Sequence, residues 1–334
     1  MDVADKNKIW FSVLNVYAAS RKAESLWKKA EVMLKESGVV YHGNRTGCSG
    51  NAMEITFDAC MAGYRKFLAV GGDGTVHDVL NGIAAYIDWN YGMGREMFFS
   101  DFTIGAIPLG SGNDWVKSTG VSKNISKAVG AIVGEKIGRQ DVVKASVLDN
   151  NEVEISSSYM INVGGVGLDA RVCERVNYLK SQGKNGRTLY VRALLYALKR
   201  RQASLLKVEC DGKQVFHGPF YSMSLGIGRY SGGGMLQTPE AVMDDGLLDM
   251  TIIPELPIHR VMKEVFKLFT GNLLTVPEIV STKSKSIKVT PANPKILEPV
   301  EVDGEVVGKG CVKFDVLDSQ INIITLDSMK GRHQ

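Results

Sequence analysis

Five consecutive residues, Gly71-Gly72-Asp73-Gly74-Thr75, are the strongest candidate for chemistry in the chain. Glycines let the backbone approach an anion closely, and a helix starting at such a turn offers unpaired N–H groups and a favourable dipole, which makes a phosphate cradle. Thr75 can cap that helix or turn its hydroxyl to a phosphate, while Asp73 sets a carboxylate where Mg²⁺ or a reacting hydroxyl can sit. The plainer alternative is a tight turn capped by Thr75 with Asp73 solvated. A second turn, Pro108-Leu109-Gly110-Ser111-Gly112-Asn113-Asp114, repeats the glycine pattern, although Asn113 and Asp114 are also ordinary helix-capping residues. In the second half, Asp244-Asp245-Gly246-Leu247-Leu248-Asp249 sets three carboxylates within six residues. Hard cations favour such oxygen ligands, and a turn leading into a strand with solvated acids explains the same residues. Val302-Asp303-Gly304-Glu305-Val306 reads locally as a hairpin with an Asp-Gly turn.

The flanking patterns say what must hold these residues. Apolar runs at Ile9–Val16, Val39–Tyr41, Phe67–Val70 and Ile104–Leu109 read as strands. Between them, Ala23–Ser37 and Ala52–Tyr64 read as helices, and Val76, Val79, Leu80 and Ile83 repeat at helical spacing after the first glycine turn. Alternating strands and helices predict a parallel sheet covered by helices, with both glycine turns at its carboxyl edge, where ligands bind in such folds. After about residue 140 the texture changes to strand-like runs: Val142–Leu148, Glu152–Val163, Leu205–Cys210, Phe220–Gly226, Leu247–Ile253, Ser286–Pro291 and Cys311–Leu317. Helical patterns interrupt them only at Tyr190–Arg201 and His259–Phe269. The expectation is an α/β domain over 1–139 and a β-sandwich domain over 140–334, with the last residues packing back on the first domain.

Composition bounds the function. A net charge of +4, from 40 basic and 36 acidic residues, is too small a surplus to imply nucleic acid. The five cysteines (48, 60, 173, 210 and 311) lack metal-ligand spacing and read as reduced thiols. The charged N-terminus and the lack of a long apolar run predict a cytoplasmic protein. Val191, Leu194, Leu195 and Leu198 mark one face of a helix ending in Lys199-Arg200-Arg201, which reads as core-facing and allows at most transient membrane contact. Neither glycine turn matches the Walker pattern or the dinucleotide Gly-x-Gly-x-x-Gly, so an ordinary P-loop enzyme or Rossmann dehydrogenase is disfavoured.

Taken in order, Gly71–Thr75, Pro108–Asp114, Asn162–Asp169, Gly232–Ala241, Asp244–Asp249 and Asp303–Glu305 resemble the diacylglycerol kinase and sphingosine kinase catalytic family, particularly bacterial YegS-like lipid kinases. The resemblance implies a three-layer, NAD-kinase-type α/β domain with a C-terminal β-sandwich. It implies ATP held by Gly71, Gly72, Asp73, Gly74 and Thr75, by Gly110, Ser111, Asn113 and Asp114, by Asn15 after the first strand and by Thr46 near the second. It further implies Mg²⁺ bound by Asp245 with the Leu247 or Leu248 carbonyl, Asp303 as general base supported by Glu305, and a lipid hydroxyl as acceptor. Asp73 also faces the γ-phosphate in the resemblance, so the choice of proton acceptor between Asp73 and Asp303 stays open. The chain departs from the family pattern at Val16, Asn51 and Ile227. A kinase of a soluble substrate such as NAD, and a non-catalytic nucleotide or lipid sensor, are the alternatives; oligomeric state, a homodimer included, is not readable.

Overall fold

The computed structural model describes residues 6–18, 23–47, 51–110, 112–182, 184, 188–199, 203–293 and 297–326. The chain divides into two units, Met1–Gln140 with Ser319–Gln334, and Asp141–Asp318.

In the first unit, strands β1 (Trp10–Leu14), β2 (Tyr41–Arg45), β3 (Lys66–Gly71) and β4 (Thr103–Pro108) run parallel in the order β2-β1-β3-β4. The strand Ile321–Ile324 continues the sheet parallel to β4, and β5 (Ile137–Gln140) closes it antiparallel. The central strands β3 and β4 are buried almost throughout, which is why they read as unbroken apolar runs, whereas β2 lies at the edge and is largely exposed. Helices α1 (Ala23–Glu36), α2 (Asn51–Met61) and α3 (Asp73–Gly92) follow β1, β2 and β3. α1 ends where Gly38 takes φ +74°. After β4 come α4 (Asp114–Ser118) and α5 (Ile125–Gly134), the second capped by the Asn124 side chain accepting from Lys127 N–H at 3.2 Å. The register Leu14↔Val70 and Gly71↔Pro108 brings the ends of β1, β3 and β4 level, so the loops after them leave the sheet at one edge.

The second unit is antiparallel. Its strands are β6 (Val143–Leu148), β7 (Glu154–Met160), β8 (Val163–Gly167), β9 (Ser204–Cys210), β10 (Lys213–Gly226), the short pair β11 (Tyr230–Ser231) and β12 (Met235–Leu236), β13 (Leu248–Pro254), β14 (Val280–Ser284), β15 (Ser286–Pro291), β16 (Pro299–Val302), β17 (Glu305–Lys309) and β18 (Cys311–Val316). They link in the order β17-β16-β8-β10-β9-β15-β18-β6-β7, with β13 and β14 branching from β10. The two ends of this path face each other: Ser156 Oγ donates to Val307 O at 3.2 Å, and a Cβ on Gly308 would lie 2.9 Å from Val147 Cγ2. Folding the sheet over itself makes the two-layer sandwich, whose shared core includes Val147, Met160, Val208, Phe220, Met250, Val289, Val300 and Phe314.

Three expectations are corrected here. The run Glu152–Val163 is two strands, broken at Ile161-Asn162, whose amides turn to the side chain of Asp303. A helix, α6 (Leu168–Ser181), follows β8 where no helix was expected; its buried residues Leu168, Val172, Val176 and Leu179 do keep helical spacing within a polar segment. The pattern at His259–Phe269 forms two short helices, α8 (Ile258–Glu264) and α9 (Lys267–Thr270). The helix expected at Tyr190–Arg201 is α7 (Thr188–Lys199), packed on α6 through Leu189, Ala193, Ala197 and Leu198, while Leu195 faces solvent. Arg200, Arg201, Cys48 and the side chain of Val191 lie outside the described residues, and the other four cysteines are free thiols.

Candidate active site

In the first unit the two glycine turns touch. Leu109 and Gly110 N–H both donate to Gly71 O, at 2.6 and 3.0 Å. A methyl on Gly110 would lie 2.5 Å from Gly72 Cα, so the contact needs a glycine at 110, and one on Gly72 would be a tight 3.2 Å from Gly110 Cα. Asp73 is the first residue of α3, and its Oδ1 accepts the Trp115 N–H of α4 at 3.0 Å, tying the start of one helix to the start of the other. A Cβ on Gly112 would lie 3.0 Å from Asp73 Oδ2. Thr75 does not cap α3 as expected: its hydroxyl, buried against Gly71, accepts from Asn15 Nδ2 at 3.2 Å. Asn15 in turn holds the chain after β1 by accepting Tyr17 N–H at 3.0 Å.

The capping reading of Asn113 also fails. Asn113 sits at φ +50° before α4 without capping it, and its amide swings back to donate to Gly110 O at 2.7 Å. That leaves Asn113 Oδ1 buried with no partner, an acceptor that a bound donor would satisfy. Thr46 Oγ1, where the chain leaves β2, is likewise buried and unpartnered. Asp114 is buried and paired with Lys117. The structure thus gathers Asn15, the Gly71–Thr75 turn, Gly110, Asn113 and Asp114; Ser111 lies outside the described residues.

In the second unit, Asp303 and Gly304 connect β16 to β17 with φ +53° and +92°, the positive pair that a two-residue hairpin turn needs. The expected hairpin is therefore present, and the same residue reaches further. Asp303 Oδ2 accepts Ile161 N–H at 3.0 Å and Oδ1 accepts Asn162 N–H at 2.9 Å, fixing the carboxylate against the break between β7 and β8. Asn162 Nδ2 donates to Tyr230 O at 2.9 Å, leaving Asn162 Oδ1 buried and unpartnered beside it. Glu305 is exposed and, among the described residues, receives a long contact, 3.5 Å, from Asn177 Nδ2.

Two further acids surround this turn. Glu301, 4% exposed, accepts Gly304 N–H at 2.8 Å. Asp169, at the start of α6, accepts from Ser224 Oγ at 2.5 Å. The two carboxyls converge over Gly165, where an added Cβ would lie 3.1 Å from Glu301 Oε1 and 3.2 Å from Asp169 Oδ2. Burial raises the pKa of Glu301 well above the carboxylate range, with Asp169 and Asp303 adding repulsion against the Gly304 N–H that opposes it. Burial likewise raises Asp169 against the hydrogen bonds from Ser224, Ser222 and Gln237. An acid pair with raised pKa values holds protons where an ordinary pair would be charged.

Profile comparison matches residues 10–145 to the diacylglycerol kinase catalytic domain and residues 162–325 to the YegS C-terminal NAD kinase beta sandwich-like domain. The chain belongs to the diacylglycerol kinase family. It is 24% identical to the diacylglycerol kinase of Bacillus subtilis over 306 residues, covering 88% of this chain and 89% of that one. With a probable lipid kinase YegS-like protein of Enterobacter it shares 29% over 233 residues, 68% and 69% of the two chains. Among solved structures, a putative diacylglycerol kinase from Bacillus anthracis superposes with TM-score 0.70 at 22% identity, over 95% of this chain and 97% of that one. An NAD kinase from Archaeoglobus fulgidus, solved in complex with ATP, superposes with TM-score 0.51 at 14% identity, over 96% and 95%. As a fold, then, this family member pairs a parallel-sheet α/β domain with a C-terminal β-sandwich, and the family relation supports a kinase acting on a lipid-like substrate.

Within this kinase fold, the acidic turn at Asp245 is arranged differently from a metal site. Asp245 Oδ1 accepts Leu247 N–H at 3.0 Å, and Gly246 N–H is held by Asp141 Oδ2 at 2.7 Å. Lys283 Nζ stands 3.2 Å from Asp249 Oδ2 and 3.7 Å from Asp245 Oδ2 and donates to Glu240 O at 2.9 Å. Of the oxygens that Asp245, Leu247 and Leu248 were expected to offer Mg²⁺, the Asp245 carboxylate is therefore already engaged, one oxygen by the Leu247 N–H and the other facing the Lys283 ammonium, and that carboxylate does not fit a resident ion. Among the described residues no group of three His, Cys, Asp or Glu side chains is placed to hold a metal ion. Burial raises the Asp249 pKa to about 6, with Lys283 pulling against it. The sequence reading quoted Asp169 only inside a motif and missed Glu301; the available signal was a glutamate in the otherwise apolar strand Pro299–Val302. Ile227, one of the departures, is a fully buried core residue of the second unit.

Proposed function

We propose that this chain is an ATP-dependent kinase that phosphorylates a lipid hydroxyl. The observation that carries the reading is the buried, unpartnered Asn113 Oδ1 beside two glycine turns packed closely against each other. A helix start and a backbone free of Cβ atoms suit phosphates, and an orphaned acceptor suits a nucleotide N–H or hydroxyl. ATP fits that set: Gly71–Thr75 and Gly110 would take its phosphates, and Asn15, Asn113 and Thr46 would offer it hydrogen bonds. The bound nucleotide supplies the γ-phosphoryl group. No step of this reading runs through the Asp245 turn.

In this reading Asp303 takes the proton of the acceptor hydroxyl as its oxygen bonds to phosphorus and ADP departs. The two backbone N–H bonds to Asp303 hold the carboxylate in place, and the orphaned Asn162 Oδ1 beside it is suited to a second acceptor donor group. Asp73 acts by fixing the geometry of both helix starts and presenting charge to the nucleotide. Among the described residues no helix is long and apolar enough to cross a membrane, so the acceptor is met by transient contact with a lipid surface. The test is transfer of labelled phosphate from ATP into a total lipid extract, with NAD offered in parallel and the product identified by mass spectrometry. Label in NAD alone, or ATP binding with no transfer to any lipid, would overturn the proposal.

A further inference from the structure

The helix pair α6 and α7 carries a second polar site that the kinase chemistry leaves unused. Arg171 and Arg175 lie one turn apart on α6, and their charges have different fates. Arg171 Nη2 donates to both carboxylate oxygens of the buried Glu298, at 3.0 and 2.9 Å, and is structural. The guanidinium of Arg175 instead stacks on the Tyr196 ring of α7, 4.3 Å from its centroid, with the Tyr178 ring 5.2 Å away. A cation held over ring faces still lacks an anionic partner for its charge.

Beside it opens a cavity of about 180 Å³ lined by Arg175, Lys184 and Arg192 with Leu179, Leu189 and Tyr196. At ~30 Å³ per water this holds several waters, which is room for a tetrahedral oxyanion rather than a lone halide. Leu179 and Leu189 belong to the buried core between the helices, so the cations stand over an apolar floor. Among the described residues none of the three has a carboxylate partner, and the neighbouring Glu174 faces Lys309 at 3.7 Å. Three cations around one cavity repel each other until an anion enters, and two arginine forks with one lysine match the several oxygens of a phosphate better than the two of a carboxylate.

We propose that the cleft between α6 and α7 binds a phosphate group through Arg175, Arg192 and Lys184. The site is distinct from the nucleotide turns and does not depend on the kinase reading. The phosphate belongs either to a soluble ester or to a lipid headgroup, and the experiment separates them. Binding of glycerol 3-phosphate is measured by calorimetry, and binding to phosphatidylcholine vesicles with and without phosphatidic acid by flotation. The R175Q/R192Q variant is compared with K28Q/K29Q, which removes the same charge from the exposed face of α1. Binding in solution assigns a soluble ester, and binding only to vesicles bearing phosphatidic acid assigns a headgroup; in either case R175Q/R192Q loses at least tenfold and K28Q/K29Q stays near wild type. Should loss of the Arg175 stacking disturb the helix pair, K184Q/R192Q, which alters only exposed side chains, gives the same comparison. Absence of binding to both probes, or equal loss in K28Q/K29Q, overturns the proposal.

Discussion

Replacing Asp303 by Asn separates what this residue does for the fold from what it does for the reaction. Asn tolerates positive φ and Asn-Gly is a favoured type I′ pair, so the turn between β16 and β17 survives the change. What is lost is the carboxylate that accepts Ile161 and Asn162 N–H at 3.0 and 2.9 Å. Hydrogen bonds to a charged acceptor contribute ~1.5–3 kcal/mol each, and an Asn side chain keeps one of them in weaker, neutral form while turning its amide to the other N–H. The net local destabilisation is about 2–4 kcal/mol. Because a multi-domain chain need not unfold in a single step, amide exchange is a better assay than a melting curve. Exchange at Ile161 and Asn162 should accelerate roughly 30- to 1,000-fold, since each factor of ten corresponds to ~1.4 kcal/mol. Under the proposed function turnover falls by at least ~10² as well, with ATP affinity retained. Exchange within a factor of two of wild type would refute the carboxylate anchor. Faster exchange with near-normal turnover would make Asp303 a structural residue only.

Gly110→Ala brings a methyl to 2.5 Å from Gly72 Cα, a clash between backbones rather than flexible side chains, so it should cost ~1–3 kcal/mol in stability and abolish ATP binding by equilibrium dialysis. Glu301 keeps its proton in the folded state above the pH at which an unfolded Glu ionises, ~4.3, so folding stability falls as pH rises from there toward the raised folded pKa. The fall amounts to about tenfold in the folding equilibrium per pH unit for each proton retained, with Asp169 adding to it. Glu301→Gln keeps an acceptor for Gly304 N–H and removes one titration, so urea midpoints measured across that window should slope less than wild type; an unchanged slope refutes the assignment. Lys283→Met leaves the buried Asp249 without its counter-charge and should destabilise the second unit by ~1–3 kcal/mol, below the cost of breaking a fully buried pair because the lysine is partly exposed. The wild-type melting temperature should not move with Mg²⁺ or a chelator, and a chelator-induced drop would restore a resident ion at Asp245.

The sequence was most legible where one local pattern had one cause. Buried β3 and β4 are apolar on both faces, and the glycine turns that follow them need their glycines, because Gly72 and Gly110 touch each other across the two loops. It was less legible where a residue's partner is remote in sequence. Thr75 and Asn113 are both good capping residues by type, but the structure spends neither on a cap: Thr75 meets Asn15, and Asn113 bonds back to its own loop. α6 was hidden for a different reason. Its buried stripe is narrow and its remaining faces are charged, so mean polarity masked a helical period carried by Leu168, Val172, Val176 and Leu179.

The acidic residues mark where local reading stops. Asp303 sits in an Asp-Gly pair that a hairpin requires for its backbone alone, and nothing within several residues indicates that its carboxylate crosses 142 positions to reach Ile161 N–H. Glu301 and Asp169 lie 132 positions apart and become a pair only because Gly165 removes the side chain that would separate them. Asp245 and Asp249 read as cation ligands by type and spacing, and they are, but the cation is the side chain of Lys283. In each case residue type foretold the kind of partner, a donor, a proton or a positive charge, and only the folded chain decided which atom supplies it. For a carboxylate that choice decides whether it is free to take part in a reaction. The Asp303 substitution is therefore the sharpest test of the proposed kinase, since its anchoring amides and its proposed substrate proton compete for the same two oxygens.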